Sequence, residues 1–272
     1  MLAHTIRKIF WREKRAQAPD ADRDPLPNPL KSLPDGLRLY AIGDIHGRAD
    51  LLAAMHDLID RIDAAQPAER TIEIVLGDMI DRGPASAEVL SRLLDRARLR
   101  EVKALRGNHE DMLLHFLANA EGLSRWARLG GLDTLQSYGV RPDGPIDDAV
   151  AIRTARLARA AIPPEHLAFL TGLPSSWTFG GFTFVHAGLR PGCPLPAQAE
   201  RDLLEIREPF LSHAGSFGTY VIHGHTPTRD VEIRHNRINL DTGAFATGRL
   251  SALLLERNRL EILEPAIGMR PA

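Results

Sequence analysis

The chain has 272 residues, 44% of them hydrophobic and 25% charged, with 34 Lys and Arg against 35 Asp and Glu for a formal net charge of -1. That length can bury the core of one large α/β domain or two small ones, and the near-neutral balance points away from a nucleic-acid binder. A single cysteine, Cys193, excludes an intramolecular disulfide and a Cys-based zinc cluster, and no uninterrupted apolar run reaches transmembrane length.

Residues 1–36 read as an appendage. Leu2, Ile6, Ile9 and Phe10 are spaced for one helical face beside Arg7, Lys8, Arg12, Lys14 and Arg15. Residues 1–16 therefore suit either a weak contact with a membrane surface or partner, or a short terminal helix that frays or docks on the domain. Pro19, Pro25, Pro27, Pro29 and Pro34 make the stretch up to Gly36 an extended linker. The catalytic domain is expected over residues 37–272. With no secretory leader pattern and one cysteine, the expected compartment is the cytoplasm.

Past the linker, the apolar runs Leu37 to Ile42, Ile72 to Leu76 and Val102 to Leu105 read as buried strands. Between them, Leu51, Leu52, Met55, Leu58, Ile59 and Ile62 form one helical stripe; Val89, Leu90, Leu93, Leu94 and Ala97 form another, with Pro84 at the helix start. This alternation predicts a parallel sheet. Residues 111–175 read as a helical insertion, with one helix through Met112, Leu113, Leu114, Phe116 and Leu117 and another over 149–161. Gly130-Gly131 and Pro142 to Pro145 break it. Strands are then predicted at 182–186, 219–222, 231–234, 237–241, 250–255 and 259–263, forming a second sheet in the C-terminal half.

Five polar blocks follow the apolar runs: Gly43-Asp44-Ile45-His46-Gly47, Gly77-Asp78-Met79-Ile80-Asp81-Arg82-Gly83, Arg106-Gly107-Asn108-His109-Glu110, His186-Ala187-Gly188 and Gly224-His225-Thr226. Residues just past a strand sit at its carboxyl end, where active sites of α/β sheets assemble. Asp44 and His46 are two apart, so a strand continued past Ile42 would turn both to one side. With Asp78 they are candidates for a first metal ion; Asp78 would bridge to a second, held also by Asn108, His186 and His225. Oxygen and nitrogen donors without thiolate favour manganese, with iron or zinc next, over a magnesium-only site. Two such cations would hold a shared water as hydroxide for in-line attack.

The remaining polar residues suit a phosphoryl substrate. Arg82 and Arg207 offer guanidinium forks for phosphate oxygens, and Asn108 is a candidate for a further phosphate contact. His109 is the candidate general acid, with Asp81 fixing its tautomer. One Asp-x-His is ordinarily a solvated turn, but five ordered blocks at strand ends imply a shared site. His223 reads as a packed neighbour of His225. His4, His56, His115, His166, His213 and His235 stand in no motif, and Cys193 has no neighbouring base.

The blocks GDIHG, GDMIDRG, RGNHE, HAG and GHT resemble the five signatures of the PPP-type metallophosphatases, within the calcineurin-like phosphoesterase superfamily and closest to its bacterial and phage serine/threonine protein phosphatase branch. The resemblance covers about residues 37–255. Asp81-Arg82-Gly83, the Arg106 before Gly107, and Ile206-Arg207-Glu208 are its more specific parts. It implies an α/β fold, a β-sandwich of two mixed sheets flanked by helices, and the site roles given above. Asn239-Leu240-Asp241-Thr242-Gly243-Ala244 resembles a segment near that branch's carboxyl end and reads as a turn supporting the metal loops. Trp126 with Gly130-Gly131 matches the phage-type enzymes, which often carry Asn where this chain has Leu129.

Three functions follow. The first is a metal-dependent phosphatase of phosphoserine and phosphothreonine, with phosphotyrosine as an extension. The second is hydrolysis of a dinucleoside polyphosphate or other small phosphoester; enzymes of that kind tend to carry Cys where this chain has Arg48, and depart from Asp-Arg-Gly in the second block. The third, a non-catalytic scaffold, would predict a missing ligand or acid, and none is missing.

Overall fold

The computed structural model describes residues 33–257 and 259–265. The basic segment 1–16 therefore lies outside the described residues. Leu33 is already buried with the inter-sheet core, so packing begins ahead of the expected start at Leu37. The strands are β1 (Leu37–Ile42), β2 (Arg70–Val75), β3 (Glu101–Ala104), β4 (Ser176–Phe179), β5 (Phe182–Val185), β6 (Tyr220–His223), β7 (Glu232–Ile233), β8 (Arg237–Asn239), β9 (Ala252–Glu256) and β10 (Arg259–Leu263). The helices are α1 (Ala49–Ala65), α2 (Ser86–Leu99), α3 (Asn108–Asn119), α4 (Leu123–Arg128), α5 (Gly131–Ser137), α6 (Asp148–Ala161), α7 (Pro164–Thr171), α8 (Glu200–Glu205) and α9 (Ala244–Thr247). None of the described helices is long and apolar enough to cross a membrane.

Two five-stranded mixed sheets result, ordered β10-β9-β1-β2-β3 and β4-β5-β6-β8-β7. β1, β2 and β3 run parallel, as the strand-helix alternation requires. The last two strands depart from the sequence expectation: β9 pairs antiparallel with β1, and β10 with β9, so they complete the first sheet instead of joining the second. Strand propensity marks these segments as extended, but their partner is chosen by the long-range match of apolar faces. β4 was not expected at all; it pairs antiparallel with β5 through the Gly180-Gly181 turn. Pro84 lies two residues before α2 rather than at its first turn, and the helical segment after β3 contains five helices.

β1 shows why its run is apolar apart from Arg38. Leu39 and Ala41 face the core between the sheets with Ile72, Ile74, Phe182, Phe184 and Ile222, while Tyr40 and Ile42 face a second core under α1 and α2. A strand covered on both faces has no polar alternation to display.

Charge is also buried on the helix side, toward the strand ends away from the five blocks. Glu73, 1% exposed, accepts from Arg96 Nη2 at 2.6 Å, and Arg96 also reaches Asp60 at 2.8 and 2.9 Å. Arg38 joins Asp63 at 2.8 Å to Glu256 at 3.0 Å on the same face. Burial pushes the Glu73 carboxyl up, with Arg96 opposing. Arg96→Met would strand that carboxylate and is expected to cost about 3 kcal/mol in urea unfolding, whereas pairing it with Glu73→Leu recovers most of the loss. A single-variant loss below about 0.5 kcal/mol would mean that Glu73 does not depend on Arg96.

Candidate active site

Each block begins where a strand stops: Gly43 after β1, Gly77 two past β2, Arg106 two past β3, His186 after β5 and Gly224 after β6. Carboxyl ends from both sheets thus meet at one edge of the sandwich. There the backbone abandons extended geometry. His46, Asp78, Asp81, Arg82 and His225 have φ of 46°, 47°, 72°, 66° and 66°, five of the seven non-glycine left-handed residues among those described. Such conformations cost roughly 1–3 kcal/mol each and persist only where the surroundings fix them. This corrects the strand-geometry expectation, because His46 has already turned and does not share a strand face with Asp44.

Two kinds of packing hold these loops. Glu110, fully buried at the start of α3, accepts from the backbone N–H groups of Gly107 (2.8 Å), Asp78 (2.9 Å), Met79 (2.8 Å) and Ile80 (3.3 Å). It staples the second block to the third. Burial pushes its carboxyl up to about 7, with Asp78 adding to the effect. The sequence reading gave Glu110 no role, although a Glu three residues past an N-cap is a capping signal. The second device is close backbone approach. A Cβ on Gly224 would stand 2.0 Å from Asp44 Oδ1, so only glycine lets the fifth block lie against the first.

The inward-facing donors form two groups, His46 with Asp78 and His109, and Asp78 with His186 and His225; within each, the potential ligand atoms lie within 4.8 Å of one another. Asp78 belongs to both. His46 Nδ1 donates to the Ile80 carbonyl at 2.9 Å and His186 Nδ1 to that of Leu76 at 2.9 Å, leaving Nε2 of each directed inward. Asn108 Oδ1 lies 3.0 Å from His186 Nε2 and 2.9 Å from His225 Nδ1, so it completes the second group. Asp44 stands outside both groups. Its oxygens accept from His225 N–H at 3.1 and 3.3 Å. One residue is added: Asp241, 1% exposed, accepts from Gly243 N–H through Oδ1 while its buried Oδ2 has no donor among the described residues.

Electrostatics tests whether cations fit here. Burial pushes Asp44 well above the usual carboxylate range, and Asp241 adds to it; Asp241 is raised by burial with Asp78 contributing. Against its own burial, His186 is driven up to about 10 by Asp78, Asp44 and Glu110. Asp78 falls well below its ordinary value because His186 and His109 outweigh burial. Burial lowers His46 and His225 to about 3, so both are neutral rings with lone pairs to give. Crowded carboxylates, an orphaned buried oxygen and inward imidazoles are a donor set that divalent cations satisfy.

Beside them lies an acid pair. His109 Nδ1 meets Asp81 Oδ2 at 2.6 Å, both groups being fully buried. Asp81 Oδ2 also accepts from Trp126 Nε1 at 2.6 Å and Oδ1 from the Thr134 hydroxyl at 2.5 Å. Only a family likeness marks Trp126 in the sequence, and nothing local marks Thr134, since α4 and α5 reach Asp81 across more than 40 residues. Burial works against a charged His109, yet Asp78 and Asp81 hold its pKa above the usual histidine value. Arg82 reaches His46 Nε2 at 2.8 Å and His109 Nε2 at 3.1 Å. Arg207 is exposed and forms no ion pair among the described residues, but its charge is felt by His225. His223 contacts Phe210 edge-on at 4.8 Å and Arg237 at 3.3 Å, as a packed neighbour would.

The profile of the calcineurin-like phosphoesterase family matches residues 37–259. A symmetrical bis(5'-nucleosyl)-tetraphosphatase of Paracidovorax citrulli (strain AAC00-1) is 30% identical over 83% of this chain and 97% of its own length. Serine/threonine-protein phosphatase 2 of Escherichia coli (strain K12) is 38% identical over 34% of this chain and 38% of its own. Among solved structures, one assigned as a diadenosine tetraphosphatase superposes with a TM-score of 0.58 at 23% identity, covering 85% of this chain and 95% of that one.

Proposed function

The chain belongs to the calcineurin-like phosphoesterase family and is a hydrolase, and within that family we propose a dinuclear-metal phosphomonoesterase that acts on phosphoserine and phosphothreonine in proteins. One observation carries the choice of substrate: the buried His109–Asp81 pair at 2.6 Å, with Trp126 and Thr134 holding the carboxylate. A serine or threonine alkoxide is a poor leaving group and departs only with a proton, whereas a nucleoside diphosphate leaves as a stable anion. A maintained acid is therefore useful to the first substrate and idle for the second.

Asp44, His46, Asp78, Asn108, His186 and His225 would hold the two cations, manganese being the expected metal. Bound there, the cations would supply positive charge that acidifies a water and offsets the charge of the phosphate. Arg82 and Arg207 grip the phosphate oxygens, a contact that draws the Arg82 guanidinium off His46 Nε2 and His109 Nε2. Once Arg82 no longer donates to it, His109 Nε2 takes up a proton from solvent, as Asp78 and Asp81 favour, and gives it to the leaving oxygen while Asp81 keeps the Nδ1 proton in place. A cleft of about 330 Å³ opens beside Asn108, lined by Asp111, Arg125, Glu200, Arg201 and Glu205. Its mixed charge suits a peptide better than a polyanion.

The full-length likeness to the Paracidovorax citrulli protein favours a second reading, hydrolysis of a dinucleoside polyphosphate. One panel separates the two. Metal-free protein reloaded with manganese is expected to hydrolyse phosphoserine peptides and p-nitrophenyl phosphate, with chelator abolishing turnover. Turnover of diadenosine tetraphosphate without turnover of phosphopeptide would overturn the first reading in favour of the second.

A further inference from the structure

A third, smaller apolar core lies beside the fourth and fifth blocks, separate from the core between the sheets and the core under α1 and α2. Val185, Ala187 and Leu189 pack there with Val221 of β6 and with Leu203, Ile206 and Phe210. The last two bracket Arg207. Ile206 precedes it and Phe210 follows three residues later, both buried, while Arg207 itself is exposed. Leu211 N–H donates to the Arg207 carbonyl at 2.8 Å and closes the turn between them. An exposed side chain on a loop can be aimed only if the backbone beneath it is held, and here both flanks are held.

One buried cation ties that turn to the site. Arg237, on β8, is 3% exposed. Its guanidinium donates to the Leu211 carbonyl at 3.0 Å, to Glu232 Oε2 at 2.6 Å and to His223 Nε2 at 3.3 Å, and its central carbon stands 5.6 Å from the centre of the Phe210 ring. Burial, with Arg237 adding to it, lowers His223 to about 3, so the ring is neutral and its Nδ1 donates to the Gly224 carbonyl at 3.1 Å. Gly224 opens the fifth block, and its N–H donates to the His186 carbonyl at 2.8 Å. The Phe210 ring in turn presses on Gly188 of the fourth block, where an added Cβ would stand 2.3 Å from the ring. The turn that carries Arg207 is thus fastened to the same two segments that carry His186 and His225. Apolar side chains of similar volume commonly serve stability as well as a buried ion pair does, so stability alone gives no reason for an arginine here. Its planar fork, however, can meet several fixed acceptors at once.

We propose that Arg237 is a positioning residue for Arg207: by holding the Leu211 carbonyl and the Phe210 ring against His223, it fixes the turn from which Arg207 reaches the phosphate. Arg207 forms no ion pair among the described residues, so its direction is set by the backbone that Arg237 clasps. Its charge acts on His225, which puts the turn on the site side of the third core. The inference rests on the reading above in which Arg207 grips the phosphate.

The test is a double-variant cycle on the manganese-loaded protein, read as kcat/KM for whichever phosphoester it hydrolyses. Arg207→Ala is expected to cost about a hundredfold and Arg237→Met about tenfold. The double variant should be no worse than Arg207→Ala alone, because Arg237 acts through that side chain. A loss of about a thousandfold in the double variant, the product of the two, would make Arg237 merely structural and overturns the proposal. Either single variant as active as wild type overturns it too. Inhibition by orthophosphate reads the grip without any leaving group. Arg237→Met is expected to weaken it about fivefold where Arg207 is present and not at all in Arg207→Ala, and equal weakening in both backgrounds counts against the proposal. Glu232 keeps Arg234 at 2.6 Å when Arg237 is replaced, so no carboxylate is stranded. Should Arg237→Met still fail to fold, Phe210→Leu takes its place in the same cycle, with the same outcomes. If phosphopeptides are refused while the cycle on diadenosine tetraphosphate is non-additive, the protein-phosphatase reading fails and the role of Arg237 stands.

Discussion

Replacing His109 with Asn is expected to lower kcat for a phosphoserine peptide by about a thousandfold and for p-nitrophenyl phosphate by about tenfold or less. The difference arises from the leaving groups, because a serine alkoxide needs the proton and a nitrophenolate does not. Asn keeps a polar side chain at the start of α3 but has no proton to transfer at neutral pH. His109 Nδ1 is committed to Asp81 at 2.6 Å, so Nε2 is the nitrogen that can serve the substrate. Steady-state kinetics on both substrates, at matched metal content, reads the effect directly. Equal losses would remove His109 from the acid role. Trp126→Phe gives the companion result: it takes one donor from Asp81 and should cost the phosphoserine reaction about tenfold, with the activated ester little changed.

The second large effect is expected at Asp78, the carboxylate common to both donor groups. Its Oδ1 lies 3.3 Å from His186 Nε2, and its Oδ2 3.5 Å from His46 Nε2 and 3.8 Å from His109 Nε2. Asp78→Asn preserves the shape, including an oxygen to accept the His109 N–H that Oδ1 takes at 3.2 Å, but removes the buried negative charge between the groups. Cation charge in such sites contributes several kcal/mol to the transition state, so turnover should fall by at least about a thousandfold. Metal analysis after exhaustive dialysis should show a loss of bound manganese beside wild-type protein treated alike. Wild-type metal content together with wild-type turnover would show that Asp78 is not the shared ligand.

Much of this candidate site was legible because its potential ligands come in short blocks next to strands. Leu37 to Ile42 is buried on both faces and reads as a strand from composition alone, which places Asp44 and His46 at its end. Asp81 and His109 could be paired on chemical grounds before any coordinates. The Gly180-Gly181 turn between Phe179 and Phe182 was also a readable hairpin signal, and β4 could have been found from it. Other features gave no local signal. β9 reads as a strand equally well in either sheet, and only the fit of Leu253 and Leu255 against the inter-sheet core commits it to β1.

The family and the candidate donors could be read from the chain alone, because residue types, their order and their strand-end positions depend on residues within a few places of one another. The tertiary structure decided how that chemistry is held. Glu110 stapling Asp78 to Gly107, Trp126 and Thr134 clasping Asp81, the buried Asp241, and Phe245 over Arg82 are all contacts between segments distant in the chain. Local periodicity encodes which face of an element is buried. It does not encode which remote side chain meets a given carboxylate, because that depends on how both sheets and the helices around them pack together.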